Sequence, residues 1–473
     1  MAVNSPTTAR IIKALGIFGG VKVLTILCSI LRNKLVALWV GPIGVGLITL
    51  FNSTMDLIST STQLNLPQSA VREISQAGKD NPAGKPMLIT VTHRLSLILG
   101  LAGALLTCLL APLLSEWTFG DSSHTVDFYL LSVMPLLSAL AAGEWAILQA
   151  TDKLQKLARC NLYAALTASA FAIAAFYFFR IAAVIPVLLS FSTANYVYAR
   201  LASERGKNTP VLTFKETFRQ GKGMLSLGIL MTVSMAASLA ASYIFVAWLN
   251  RTESAATVGA YQAGYTLMNS YVGLIFSAIS MEYFPRISAF CKYPRRQEVM
   301  VSHEMKIALL LLLPVTVIFV CCREIIVDLL YSAEFRSITP YLGIGICGVA
   351  FRAASWCLAY TIVARGDGKI YIFTESSSAA LYLIFNIFFY TRYSFAGLGI
   401  AYICWFGAYF AICYAVYRLR YKMNLSPASA LLMLVTPLTG IGCLLLTTVI
   451  GNWWTLALAL PPTAWIAYRK IAR

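Results

Sequence analysis

Long apolar runs succeed one another along this chain, separated by short polar connections. Fourteen of them read as 11–39, 45–65, 87–113, 126–149, 159–178, 181–201, 223–249, 255–280, 305–330, 338–364, 370–391, 396–418, 427–450 and 452–468. A helix needs about 20 mostly apolar residues to cross a bilayer. Inside hydrocarbon the backbone finds no water, so such a run must close its hydrogen bonds within itself as a helix. The pattern predicts an all-α integral membrane protein with about 14 transmembrane helices. Composition agrees: 59% of the 473 residues are hydrophobic and 12% are charged, where soluble domains carry about a quarter charged residues.

The connections carry the orientation. The chain has 37 Lys and Arg against 19 Asp and Glu, a formal net charge of +18. In a soluble protein that excess points to nucleic acid. Here most of it lies in short loops on one side of the spans, the pattern by which polytopic proteins are oriented. Lys153, Lys156 and Arg159 fall on the side of the N-terminus, as do Lys215, Arg219 and Lys222, and Arg418, Arg420 and Lys422; Arg180, Arg251, Arg323, Arg336 and Arg392 fall opposite. We therefore expect a multi-pass protein with both termini cytoplasmic, membrane lipids around it and no nucleic-acid partner. The first run begins near Ile11 without a small-residue cleavage site, which reads as polytopic insertion and not as a signal peptide. Eleven cysteines with no C-x-x-C spacing suit membrane-core side chains and give no metal centre.

Two features organise the chain further. Between the first two runs lies GPIGVG, Gly41 to Gly46. Proline lacks a backbone donor and glycine loosens a helix, so a turn is expected there. A weak repeat also shows: VGLITLFNSTMDLIS from Val45 pairs with VGAYQAGYTLMNSYV from Val258, and Gln149–Lys156 pairs with Val363–Lys369, at a nearly constant offset. Two six-helix bundles follow, 1–213 and 214–420, with a helix pair at 427–468 outside the repeat. An even number of spans per half gives both halves one orientation, related by a pseudo-two-fold along the membrane normal, with a substrate site expected at their interface. In the loop before the second half, Phe214 and Phe218 lie four apart beside Lys215, Arg219 and Lys222. That spacing suits a short amphipathic helix on the anionic inner leaflet, or a plain solvated linker.

Several charges sit within the runs. Lys22, Arg32, Lys34, Arg94 and Arg352 are basic; Asp56, Glu144 and Glu375 are acidic. A charge at the bilayer centre costs at least about 2.5 kcal/mol on insertion scales, so such residues usually face a cavity or a partner. Arg94 has snorkelling to the inner surface as its alternative, Arg32 and Lys34 an early outer turn, and Glu375 a pairing with Lys369 or Arg365. Arg352, Trp356 and Tyr360 recur at four-residue spacing on one helix face. A guanidinium fork suits phosphate oxygens and an aromatic offers a platform for a sugar or an isoprenoid; the alternative is a packing face with Arg352 bonded to a carboxylate. The acids are candidate coupling groups or structural partners. Together these residues predict a cationic cavity for an anionic, polar ligand such as a phosphate or diphosphate headgroup.

LVALWVGPIGVGLITL, VGAYQAGYTLMNSYVGLIFSAISMEYFPRIS and FRAASWCLAYTIVARGDGKIYIFTES resemble the Wzx-type O-antigen and enterobacterial-common-antigen flippases, of the multidrug/oligosaccharidyl-lipid/polysaccharide exporter superfamily. The resemblance covers most of residues 10–420. RNKLVALWVG, from Arg32, also looks like the arginine-bearing first helix of the peptidoglycan-precursor flippases, and by that likeness Arg32 lines a cavity. The resemblance implies transfer of an undecaprenyl-diphosphate-linked oligosaccharide from the cytoplasmic to the periplasmic leaflet of the bacterial inner membrane, by two bundles opening alternately. It implies that Lys22, Arg32, Lys34, Arg94 and Arg352 hold diphosphate or anionic sugars. It implies no cofactor and no catalytic residue, coupling to H+, Na+ or membrane potential, and polysaccharide polymerase and chain-length machinery as partners. Many members have twelve helices; the pair 427–468 departs from that.

Two rival readings remain. A multidrug exporter of the same superfamily usually handles cations, which a basic cavity repels. A membrane glycosyltransferase or polymerase tends to carry a sizeable outer loop with a clustered polar set, and every outer connection here is short. No GxxxxGK[ST] motif is present, so direct drive by ATP is not expected.

Overall fold

The computed structural model describes residues 6–80, 84–203 and 213–271, positions 273, 276, 283, 287 and 290, and residues 293–471, with side chains from Thr25 onward except at 26, 77–80, 227, 230, 234, 270, 271 and 471. Every described element is helical. The helices are α1 (Pro6–Gln63), α2 (Leu66–Asp80), α3 (Lys85–Phe119), α4 (Thr125–Leu131), α5 (Val133–Ala150), α6 (Leu154–Phe179), α7 (Val184–Ala202), α8 (Phe214–Gln220) and α9 (Lys222–Thr252). Then come α10 (Ala255–Thr266), α11 (Pro294–Leu330), α12 (Thr339–Gly345), α13 (Val349–Ala364), α14 (Gly368–Ala415), α15 (Pro427–Ile450) and α16 (Asn452–Ile471). Among the described residues, eight helical segments are long and apolar enough to cross a membrane, or nine counting the bent pair in α9. The expected run 255–280 passes beyond 271 into positions outside the described residues.

The turn expected at GPIGVG is present. Gly41 has φ 64° and ψ −168°, a backbone conformation open to glycine, and it splits α1 into two arms. A second break inside a long helix falls at Ser394, φ 48° and ψ −132°, in α14.

The chain packs as two compact units, Met1–Ala256 and Thr257–Arg473. This division falls later than the repeat boundary at 213/214. Helix α9 belongs to the first unit because it packs on α1, α2 and α3 there. Tyr243 bonds to Thr118 at 2.9 Å and Asn250 Nδ2 donates to the Thr118 carbonyl at 3.1 Å.

In the first unit two apolar clusters hold the ends of the bundle. One joins Phe51 and Met55 of α1 to Leu114 of α3, Phe128 of α4, Phe176 of α6 and Val187 of α7. The other joins Leu66, Ala70 and Ile74 of α2 to Leu95 of α3, Ile147 of α5 and Met224 of α9. Helix α2 was not foreseen: its apolar residues recur at four-residue spacing, but its other positions are polar and it lies in a stretch expected as loop. Between the clusters α3 and α5 approach closely. A β-carbon at Gly143 overlaps Ser96, and one at Gly100 abuts Ala139 and the Leu136 backbone. Small residues let spanning helices meet at short range. The outward face of α3 presents Leu101, Leu105 and Leu109, all exposed, as a lipid-facing helix must.

The second unit is built on α11, whose Leu309, Leu310, Leu312 and Leu313 are buried. Helices α15 and α16 pack against it, so the C-terminal pair is part of this unit's core. Ser429 Oγ donates to the Ser302 carbonyl at 2.8 Å and fixes the start of α15 on α11.

The repeat is visible in the backbone. Asp152, in the turn between α5 and α6, has φ 62°, and Gly366, in the turn between α13 and α14, has φ 72°. Arg180, after α6, has φ 51° and ψ −130°; Ser394 repeats it within three degrees. Each pair is separated by 214 residues.

Candidate functional site

The in-span charges lie in both units. In the first, Lys22 lies outside the residues whose side chains are described. Arg32 is half-buried on the first arm of α1. Its guanidinium donates to Asn33 Oδ1 at 3.0 and 3.3 Å and stands over the Phe191 ring of α7, 4.9 Å from the centroid. That stacking holds it against the bundle, not in a turn. Lys34 is half-buried two residues further on. Asp56, on the second arm, is exposed.

Arg94 lies near the start of α3, and its charge is felt at Glu216 of α8. That proximity favours the reading in which the side chain reaches towards the surface. Glu216 belongs to a capping box: Thr213 N–H donates to its carboxylate at 2.7 Å, and Glu216 N–H donates to Thr213 Oγ1 at 3.3 Å. These bonds from Thr213 hold the Glu216 carboxyl below its usual range, with Arg219 and Arg94 adding to them. Phe214 and Phe218 stack at 4.9 Å on the exposed face of this short helix, in the amphipathic form expected for it.

Among the described carboxylates of the first unit the most enclosed is Glu144 on α5, 5% exposed. His93 on α3 was not singled out from the sequence. Its Nε2 lies 3.2 Å from Glu144 Oε2. The next residue on α5, Trp145, turns towards α2 and lines a cavity of about 380 Å³ with Gln68 and Gln149.

In the second unit, α10 runs into a π-helical turn, Leu267–Tyr271. Such a turn shifts the backbone ladder and is frequent at functional sites. Arg352 of α13 fills the gap. Its Nη1 donates to the Met268 carbonyl at 3.1 Å and to Tyr402 Oη at 3.2 Å, and its Nη2 donates to the Asn269 carbonyl at 3.4 Å. Phe276 and Phe406 lie 5.3 and 5.7 Å from the guanidinium. All these partners are neutral. The alternative of a bonded carboxylate is not what the described residues show.

Below Arg352 the expected aromatic face exists. Trp356 and Tyr360 have ring centroids 4.7 Å apart, and Tyr283 stands 5.7 and 6.1 Å from them. Tyr283 Oη donates to the Cys357 carbonyl at 2.9 Å, locking that ring to α13. Nearby, Tyr261 and Tyr382 share a hydroxyl–hydroxyl bond at 2.6 Å. Glu375 of α14 accepts a bond from Tyr409 Oη at 2.5 Å. Arg365, its alternative partner, instead donates to Gln297 Oε1 at 2.7 and 2.9 Å. The basic turn beside it is clasped separately: Asp367 accepts from Arg420 at 3.1 and 3.2 Å and from Tyr421 Oη at 2.7 Å. Among the described residues no cluster of His, Cys, Asp and Glu could hold a metal ion.

Comparison with known proteins adds to this geometry. The chain is 22% identical over 404 residues to the lipid III flippases of Escherichia coli (strain K12) and Shigella flexneri, an alignment covering 83% of this chain and 94% of each relative. Its fold is similar to an inward-facing multidrug resistance MATE family transporter of the MOP superfamily, with a TM-score of 0.71 at 13% identity over 83% of this chain and 94% of that one. It is also similar to the lipid II flippase MurJ in an inward closed conformation, with a TM-score of 0.70 at 14% identity over 96% of this chain and 99% of that one. The family model described as polysaccharide biosynthesis protein matches residues 79–340, more than half of the chain. With its helical transporter fold, the chain is a multi-pass membrane protein that belongs to the polysaccharide biosynthesis protein family.

Proposed function

We propose that this protein is a flippase that moves an undecaprenyl-diphosphate-linked oligosaccharide, an O-antigen or related repeat unit, from the cytoplasmic to the periplasmic leaflet by alternating access. The observation that carries this reading is Arg352. It is a permanent cation within a spanning helix, held by carbonyls, a hydroxyl and aromatic rings. Neutral partners position the guanidinium without cancelling its charge, so it stays available to an anion. The aromatic stack beneath it suits the sugar or the isoprenoid attached to that anion. The family match and the lipid III flippase relatives support a glycan-bearing lipid as the substrate class.

Both termini lie in the cytoplasm on this reading, as the basic loops indicate. Transport is coupled to H+, Na+ or the membrane potential, and no reaction of the glycan occurs. Arg32, Lys34 and Arg94, with Lys22, provide further positive charge in the first unit. Partners are the polymerase and chain-length machinery that consume the flipped product.

The test is complementation of a bacterium lacking its own O-antigen flippase. The native chain is expected to restore surface glycan and to clear the lipid-linked precursor from the inner leaflet. Drug resistance without restored glycan, across hosts of different repeat-unit chemistry, is the outcome that favours an exporter and sinks the flippase.

A further inference from the structure

We propose that His93 and Glu144 form the proton-carrying site that drives transport, and that the proton reaches Glu144 through His93. This rests on the flippase reading, and it selects one driving force where that reading leaves three.

The two side chains belong to different helices, α3 and α5, and meet at 3.2 Å. They meet where those helices pack tightly. Gly143, next to Glu144, has no room for a β-carbon against Ser96, one turn along α3 from His93. Ser96 is itself buried. The exposures are unequal: the side chain of Glu144 is 6% exposed and that of His93 is 23% exposed. The carboxylate is shut in, and the imidazole is partly exposed. His93 Nε2 and Glu144 Oε2 are buried and close without a formed hydrogen bond between them, so a small rotation of the ring lets a proton taken up at His93 pass to Glu144 Oε2.

The residue types select the proton over sodium. Sodium, like other hard cations, is held by several oxygen ligands. Here one of the two groups is a ring nitrogen, which competes for a proton and, once protonated, repels a metal cation. The residue types also argue against a fixed ion pair. An arginine at this place could never release its proton, whereas histidine changes charge between about pH 5 and 8. The chain has an arginine at the very next position, Arg94, and it is the histidine that faces the acid.

The site lies about 12 Å into α3, eight residues from Lys85 at 1.5 Å per residue. Other ionisable groups belong to the helices packed on α3 and α5. They include the acids Glu73 on α2, Glu216 on α8 and, further along, Asp56 on α1, and the bases Arg72, Lys156, Arg200, Lys215, Arg219 and Lys222 with Arg94 on α3 itself. Glu216 is committed to its capping box and Asp56 is exposed. Among the described acids of these helices, Glu144 alone joins a 5% exposed residue to a histidine in contact.

The test uses the full chain in lipid nanodiscs and needs no glycan. Infrared difference spectra are recorded as the pH is stepped, with sodium absent and then present. One carboxyl band is expected to titrate, to vanish in Glu144→Gln, to shift its midpoint in His93→Gln, and to persist in Glu73→Gln and Glu216→Gln. In complemented cells, Glu144→Gln is expected to reduce surface glycan to the empty-vector level, and Glu144→Asp to retain pH-dependent activity. A band that follows sodium at fixed pH overturns the proposal, as does native surface glycan in Glu144→Gln at matched membrane abundance. If the native chain restores no glycan in any host, the flippase reading fails while the band titration still decides whether the pair binds a proton.

Discussion

A guanidinium inside a spanning helix persists because its surroundings replace the water it lost. For Arg352 the replacement is two backbone carbonyls of a π-turn, one tyrosine hydroxyl and two ring faces. Lysine cannot reproduce this, since a single ammonium has no planar fork to span Met268 and Asn269. Hydrogen bonds to a charged group contribute about 1.5–3 kcal/mol. Arg352→Ala is therefore expected to lower the unfolding temperature in detergent and to abolish surface glycan. Arg352→Lys should recover part of the stability and little of the transport. Full glycan from Arg352→Ala at matched abundance would remove this residue from the transport path. The presence of Arg352 was legible in the sequence because a charge is conspicuous in an apolar run. Its partners were not, because no residue pattern announces a π-turn at 267–271. His93 was passed over for a similar reason: its meaning depends on Glu144, which only the packing of α3 on α5 brings alongside.

At the scale of elements, hydropathy read the long helices well and the short ones poorly. GPIGVG broke α1 where expected because Gly41 adopts a conformation that other residues avoid. Helix α2 escaped because only one stripe of it is apolar. The turn at 365–367 shows how a connection is held. Arg420 and Tyr421, at the end of the same bundle, clasp Asp367 and keep its carboxyl below the ordinary aspartate value of 3.8. A depressed carboxyl contributes stability that is present above its ordinary value and lost as the pH falls through the depressed one. The unfolding temperature of the native chain should therefore fall below that of neutral pH only once the pH drops under about 4. Asp367→Asn should remove the contribution at every pH and show no corresponding acid limb. Because the pair is partly exposed, the difference should be at most about 1 kcal/mol. Melting curves of both chains across that range check it: a gap that fails to close at the lowest pH would show that the Asp367 charge is not its source.

The whole molecule carries its own record of duplication, stronger in the backbone than in the side chains. The sequence offset rested on a few matched residues, and the matching dihedrals at 152 and 366 and at 180 and 394 give it a structural counterpart. What recurs is conformation and not residue type, since an aspartate and a glycine share one turn and an arginine and a serine the other. A turn needed in both halves must tolerate whichever residue drift supplies, and strain of about 1–3 kcal/mol per unfavourable position is the consequence. The four sites should respond differently to glycine. Ser394 is exposed and lies in a region that favours glycine, so Ser394→Gly should raise the unfolding temperature. Asp152→Gly should change little, because aspartate tolerates the left-handed region and glycine loses more entropy on folding. At Gly366 a β-carbon meets nothing within 4 Å, so Gly366→Ala isolates the backbone term and should destabilise by about 1 kcal/mol. Arg180→Gly combines relief of strain with loss of the bond from Nη1 to the Trp39 carbonyl at 3.1 Å, and the two should nearly cancel. Unfolding temperatures of the four variants in one detergent test the set. If Ser394→Gly destabilises while Gly366→Ala does not, the recurring dihedrals are not a shared constraint, and the repeat rests on the sequence offset alone.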